Sequence, residues 1–561
     1  FDSSFQKSSA LAQASALTPE TSAAQKVLNN YCVRCHDTKA NDGDFGLAAN
    51  LDTLINSKYV DLKNPQNSFI IAQMQGGDDA VMPPYGKKVS PQEVQAVLDW
   101  INYMAKGGTV IDPAAQPAQP QPGQNPVQFI DHTDIVENTI INDLKNFDLN
   151  KRKNLRYFTM THLYAQGVSD DKLELFRKAT EKLMNSLSWE QNIVKLENIG
   201  NEVYRFDLRE LGWDRKKWEE LYRAYPYKLQ TSRSHGEYLS KEFRAGFGKL
   251  PYMRADWFVY EGSQPPLYHE ILELPETERS LERMVGVDTF DNIRDRNVIR
   301  AGFYDSGVSQ NNRMIERHEF RYGAYWKSYD FNSSEGRNDL LRNPITPFDS
   351  VRGRGKLEFT HAGGEIIFNL PNGFQAYYLA TEKGQRLDRG PTDIVQDIFR
   401  KDKTVVNGIS CMNCHFQGMK RNDDEIRDYA LNTDGYDFLT DYVLDMYPGN
   451  SVVNRAMDID QQLFEQASSA LGISTKNQSS EPVFKFFERY EESVGLTTAA
   501  TELGTDIATL TSLQGDPEFS TIIQRLGNTQ FSRAAFEEVF AKIARRLRIT
   551  EHRGSRPRKL R

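Results

Sequence analysis

The chain has 561 residues, too many for one compact core, and its 39% hydrophobic and 11% aromatic content suits about two to four globular domains. A formal net charge of −8, from 69 basic and 77 acidic residues, argues against a nucleic-acid binder. No apolar run approaches the roughly 20 residues needed to cross a bilayer.

Residues 1–18 are small and polar and predict a flexible leader. The chain begins at Phe1 rather than Met, which suggests a processed N-terminus and a removed secretion signal. Thr18-Pro19 has the form of an N-cap followed by proline at the first helical position. The helix it starts would turn Ala24, Val27 and Leu28 toward a core and deliver the chain into Cys32-Val33-Arg34-Cys35-His36. The same Cys-x-x-Cys-His pattern returns at Cys411-Met412-Asn413-Cys414-His415, and the two copies use all 4 cysteines. The pattern is that of covalent c-type haem attachment. Two thiols spaced by two residues reach the two vinyl groups of one haem, and the adjoining imidazole reaches the iron. The alternatives are a zinc site, which wants four closed ligands, and a redox dithiol, which has no need of a following histidine. With all four cysteines claimed, no disulfide framework is expected.

Further along, Gly76-Gly77-Asp78-Asp79-Ala80-Val81-Met82-Pro83-Pro84 offers a sixth ligand for the first iron. The thioether of Met82 is a soft donor that raises the reduction potential, and the prolines after it stiffen a loop across the open haem face. Met74 competes but lacks the prolines, and the bland reading of Met82 is a core methionine. Ser90-Pro91-Gln92-Glu93 is a capping box, and the helix after it carries Val94, Val97, Leu98, Ile101 and Met104 at helical spacing, with Trp100 beside them. In these three features (the motif at the end of the first helix, the Met-Pro loop and a last helix bearing Trp100) residues 19–106 resemble class I cytochrome c. The resemblance implies an all-α fold and one-electron transfer, in a domain of residues 19–111. Residues 112–128 follow as a Pro/Gln-rich, semi-rigid linker that would let that domain reorient.

A large mixed domain is expected over 129–545. Residues 129–230 read as mainly helical, as in Asp170 to Leu187, and 250–390 as strands between turn signals. The sharpest signal is Glu365-Ile366-Ile367-Phe368-Asn369-Leu370, Pro371-Asn372-Gly373, then Phe374 to Leu379, a hairpin pattern. A short helix is expected near Ile394 to Arg400, ahead of the second motif, and helices again over 423–550. The aromatic runs Asp256 to Tyr260 and Tyr322 to Phe331 suit core packing in a sheet, or a wall around haem or a substrate. The expected fold is therefore α+β: an all-α cytochrome domain, then helical flanks around a central antiparallel β region that carries the second haem.

For that haem, Cys411 and Cys414 would attach the ring and His415 would be the proximal ligand. The distal ligand is open among His318, His361, His269 and Met446. Met419 follows His415 too closely to reach the opposite face. His132, His162, His235 and His552 stand in less informative contexts. Histidine at both axial positions would make a low-potential carrier, whereas an open position lined by His318, Arg313 and Arg317 would make a peroxidase- or oxidase-like catalytic site. Dihaem cytochrome c peroxidases also carry two such motifs, but they match poorly, because the second motif here does not sit in a domain of the first one's type. The stretch from about 129 to 550 is similar to a segment of other secreted bacterial proteins that carry an Asn-Gly-x-Ser-Cys-Met-x-Cys-His motif after a cytochrome c domain, a likeness that implies no activity. The basic tail, 546–561, suits an acidic partner, lipid head groups or a surface polymer, or is simply solvated. The sequence thus leads to an extracytoplasmic protein with two covalently bound haem c groups, at the periplasm, outer surface or outside the cell. It would exchange electrons with partner proteins or an external donor or acceptor. The rival expectations are a haem enzyme relayed by the first haem and a subunit of a larger surface electron-transfer assembly.

Overall fold

A computed structural model describes residues 19–32, 36, 51–55, 57, 59–75, 82, 88–106, 125–230, 232–243, 250–304, 311–345, 358–400, 402–433, 440–476, 480–528, 531–549 and 551–552. The leader 1–18, residues 112–124 of the expected linker, Cys35, Pro83, Pro84 and the tail beyond His552 lie outside them. The chain divides into two compact units between Pro122 and Gly123.

The first unit is helical. Its main helices are Pro19–Tyr31, Phe69–Gln75 and Pro91–Ala105. The i, i+3, i+4 spacing of Ala24, Val27 and Leu28 puts them on one buried stripe, and Val94, Val97, Leu98 and Ile101 form the stripe that shares their core. Each of the valine, leucine and isoleucine side chains contributes about 1.5–3 kcal/mol on leaving water. The capping box is made: Ser90 Oγ accepts from the Glu93 amide, and the Glu93 carboxylate accepts from the Ser90 amide at 2.9 Å. Glu93 also accepts from the Tyr31 hydroxyl at 3.0 Å, which pins the end of the first helix to the start of the last.

Among the described residues, the second unit holds three sheets. Leu155–Thr159 (β1), Glu197–Asn198 (β2), Val203–Asp207 (β3) and Tyr252–Arg254 (β5) form a small mixed sheet in the order β2-β3-β1-β5. Leu229–Gln230 (β4) pairs with Glu551–His552 (β12), so ordered structure continues past the helix Arg533–Leu547 into the range expected as tail. Ile299–Phe303 (β6), Arg313–Phe320 (β7), Gly323–Asp330 (β8), Gly363–Asn369 (β9), Gln375–Thr381 (β10) and Arg386–Leu387 (β11) form an antiparallel meander with neighbours in chain order. The expected hairpin is β9–β10, joined through Gly373 at φ +90°. Helices flank the sheets, and Asp170–Ser186, Ala255–Gly262 and Pro482–Glu491 pack together, with Phe176 stacked on Phe486 at 4.1 Å.

The chain is thus α+β, with two local departures from expectation. Asp256 to Tyr260 is helix rather than sheet, because a continuous apolar run carries no period to separate the two. Residues 391–400 form turns instead of a short helix: Asp397 turns its carboxylate onto the Phe399 amide and its own amide onto the Lys403 carbonyl, a local alternative to helical bonding.

Candidate haem sites

In the first unit, Cys32 ends its helix with its amide donating to the Leu28 carbonyl at 2.8 Å, and the His36 amide returns to the Cys32 carbonyl at 2.8 Å. Cys32 is buried and His36 half-buried. The Met82 amide donates to the Gln73 carbonyl at 2.9 Å, which ties Met82 to the helix Phe69–Gln75. Met82 is half-buried, whereas Met74 is buried in the helical core beside Ile70 and Ile71. Trp100 is fully buried, and its indole N–H has no acceptor among the described residues. An orphaned donor in an apolar core is costly unless something satisfies it, and a haem propionate is such an acceptor.

Residues 19–101 match the family model described as cytochrome c oxidase, cbb3-type, subunit III. They form a cytochrome c domain. The domain implies covalently bound haem c and haem-based electron transfer with redox partners. No curated protein and no solved structure matches the chain. Among the described residues, no helix is long and apolar enough to cross a membrane.

The second motif lies outside the cytochrome c domain, in a different setting. Its helix, Ile409–Cys414, starts at Gly408 with φ +90°. A Cβ there would lie 2.4 Å from the Ser263 carbonyl oxygen and 3.1 Å from the Tyr268 ring, so only glycine lets the helix start this close to the core. Asn407 braces the same turn. Its amide donates to the Asp388 carbonyl at 2.9 Å, its side chain contacts His269 Nε2 at 2.7 Å, and its Oδ1 faces the Cys411 thiol at 3.8 Å.

His415 caps this helix. Its Nδ1 lies 3.2 Å from the Gly418 carbonyl. A carbonyl only accepts, so Nδ1 carries a proton and the ring turns Nε2 the other way. Nε2 lies 3.9 Å from Glu365 Oε2, and the same oxygen lies 3.9 Å from Arg313 Nη1. Two adjoining recesses meet here, with about 650 and 610 Å³ of free space open in part to solvent. The first runs between Cys411, Cys414 and the turns at 395–399; the second runs between His415, Met419 and the sheet residues Ile315, Trp326 and Ile367. Arg313, Glu365, Cys414 and Lys420 line both.

The electrostatics oppose a thiolate. Burial, reinforced by the charge of Glu365, pushes the Cys411 thiol well above its usual range, and burial likewise raises Cys414. A redox dithiol or a zinc site needs the opposite. Among the described residues, no group of three or more His, Cys, Asp or Glu side chains is arranged to hold a metal ion. Burial alone would raise the Glu365 carboxyl, but His415 and then Arg313 outweigh it and hold the group at about 2. The apolar and cationic lining, the protonated thiols and the orientation of His415 together fit a haem better than either alternative.

Strand alternation sorts the other candidates. Arg313, Ile315, Asp330, Glu365 and Ile367 share the sheet face that lines the recesses, and the register places His318 on the other face, opposite Tyr325. His318 is fully buried with Nε2 on Glu316 at 2.9 Å and Nδ1 on Asn292 at 3.2 Å, so the structure does not bring it together with Arg313. Arg317 makes a bidentate pair with Asp460, both bonds at 2.9 Å. His361 stacks edge-on against Tyr329 at 5.0 Å, with Nδ1 toward the Gly363 carbonyl. His269 engages Asn407 through Nε2 and faces Asp388 through Nδ1 at 3.4 Å; burial lowers its pKa to about 3. Met446 is fully buried in a separate core cluster with Met314 and Tyr329. Glu365 and Lys420 were not among the sequence candidates. The signal for Glu365 was present, as an ionisable residue opening an otherwise apolar strand.

Proposed function

We propose that the protein is an extracytoplasmic dihaem c-type cytochrome. In this reading the cytochrome c domain carries haem on Cys32 and Cys35, with His36 and Met82 as axial ligands. The second unit carries haem on Cys411 and Cys414, with His415 as proximal ligand. The observation that supports the second haem is the His415 ring, held by the Gly418 carbonyl with its Nε2 toward Glu365, where the recess lined by His415 and Cys414 adjoins the one lined by Cys411 and Cys414. Haem supplies one-electron chemistry when bound. The chain's own residues orient the imidazole, place the thiols and line the recess with Ile315, Trp326 and Ile367 against water. Arg313 and Lys420 offer cationic partners for haem carboxylates. An extracytoplasmic site follows from where c-type haem is attached in bacteria, and the role is electron exchange with outside partners.

One observation favours a second reading, in which the second unit is a haem enzyme and the cytochrome c domain its relay. The recesses are lined by Arg313, Glu365, Asp330 and Lys420, groups able to move protons or stabilise developing charge on a bound substrate.

Haem counting tests the proposal. Purified protein should carry two covalent haems per chain by haemochrome assay and intact mass. Cys411→Ala with Cys414→Ala should lower the count to one. A wild-type count of one would sink the dihaem reading.

A further inference from the structure

We propose that the first recess, between the motif helix Ile409–Cys414 and the turns at 395–399, binds a small aromatic alcohol, a one-ring phenol whose hydroxyl donates to Asp397. The proposal goes beyond the haem reading. It concerns a recess whose apolar walls, Leu379, Val395, Ile398, Phe399 and Val405, are not shared with the recess of His415.

Two independent observations on one turn point to a ligand. The first is a pair of exposed apolar side chains. Ile398 is 76% exposed and Phe399 63%, the highest values of any large hydrophobic among the described residues. Both belong to the lining of the recess. Local bonding holds them there. The Val395 amide donates to the Pro391 carbonyl at 3.1 Å, the Asp397 amide to the Lys403 carbonyl at 3.0 Å and the Arg400 amide to the Asp397 carbonyl at 3.2 Å. The Arg400 guanidinium lies over the Phe487 ring at 5.6 Å. The backbone thus keeps two apolar side chains in water beside an apolar recess, the arrangement of a surface that a bound molecule covers.

The second observation is an orphaned acceptor. Asp397 is 8% exposed and lines the same recess. Its Oδ1 accepts from the Phe399 amide at 2.9 Å, whereas its Oδ2 is buried with no donor among the described residues. A buried carboxylate oxygen without a donor is costly, so a molecule that brings one is favoured. The other charges on the lining select the head group. Asp330 and Glu365 are both engaged by Arg313, at 2.6 and 3.9 Å, and Lys420 adds a further cation. That balance does not call for an ammonium head. A neutral hydroxyl suits it, and cations are attracted to the face of an aromatic ring. A phenol supplies both the donor and a flat ring to lie against Ile398 and Phe399.

The test uses the haem-loaded full chain with 4-ethylphenol and, as the probe lacking the donor, 4-ethylanisole, read by titration calorimetry and ligand-observed NMR. 4-Ethylphenol should bind at least about tenfold more tightly than 4-ethylanisole. Asp397→Asn keeps an acceptor for the Phe399 amide but places an amide nitrogen where Oδ2 stood, and it should abolish that preference. Phe399→Ser, at an exposed side chain, should weaken both compounds. Equal affinities in the wild type, no saturable binding, or a preference that survives Asp397→Asn would overturn the proposal. Binding confined to the Cys411→Ala, Cys414→Ala chain would also overturn it, by giving the recess to haem. The haem count tests the dihaem reading separately, so the two failures are distinguishable.

Discussion

Two side chains show how much can hang on one residue. Glu93 closes the capping box, receives the Tyr31 hydroxyl and so joins the two helices that bracket the first motif. Glu93→Ala should destabilise the cytochrome c domain by about 1–2 kcal/mol, read as a lower denaturant midpoint for that unit. His162 is the other. It is buried with Nε2 on Asp256 at 3.0 Å, while Arg254 pairs with both Asp256 and Glu502, and the His132 ring lies 6.2 Å away. Burial, then the Arg254 charge, lowers its pKa below the ordinary 6.5, against the pull of Asp256 and Glu502. A histidine whose folded pKa is depressed stays neutral while its unfolded counterpart protonates, so the unfolded state binds the extra proton as pH falls below 6.5. The unfolding free energy of the second unit should therefore fall between pH 7 and pH 5, and His162→Asn should flatten that slope. An unaltered slope in the variant would assign the acid sensitivity elsewhere.

At the scale of elements, the motif helix Ile409–Cys414 is too short to stand alone, and its brackets decide its position. Gly408→Ala forces a Cβ against the Ser263 carbonyl and a left-handed backbone onto an L residue. It should cost about 1–2 kcal/mol or more and, on the dihaem reading, lower the haem count toward one. Asn407→Ala unties His269 and the Cys411 turn together and should destabilise the second unit by about 1–3 kcal/mol, measurable by chemical denaturation. Elements with a local signature were legible in the sequence. The capping box at Ser90, the helix after Asp170 and the β9–β10 hairpin each carry their period and punctuation within a dozen residues. The run Asp256 to Tyr260 does not, since its burial comes from contacts across the fold. The second site was half legible for the same reason. Cys411, Cys414 and His415 announce themselves by spacing. What faces them depends on strand register, which sets Glu365 and Arg313 toward the recess and His318 away from it.

At the scale of the whole molecule, two compact units with separate cores give two cooperative blocks. Calorimetry on the haem-loaded chain should resolve two transitions. Glu93→Ala should lower only the one belonging to the cytochrome c domain, and Asn407→Ala only the other. A single transition moved equally by both variants would mean that the units unfold as one.

The burial of Cys411 has a consequence for how the molecule is made. The residue is 2% exposed and lines a recess with Arg313, Asp330, Glu365 and Leu379 of a six-stranded sheet that is complete only when β11 is in place. On the dihaem reading, a thiol so little exposed would be modified before the sheet closes, which orders biogenesis: bond formation on an open chain first, compaction around the product second. Polypeptide that folds before it is modified has missed its window, and its Cys411 should resist alkylation until denaturant reopens it.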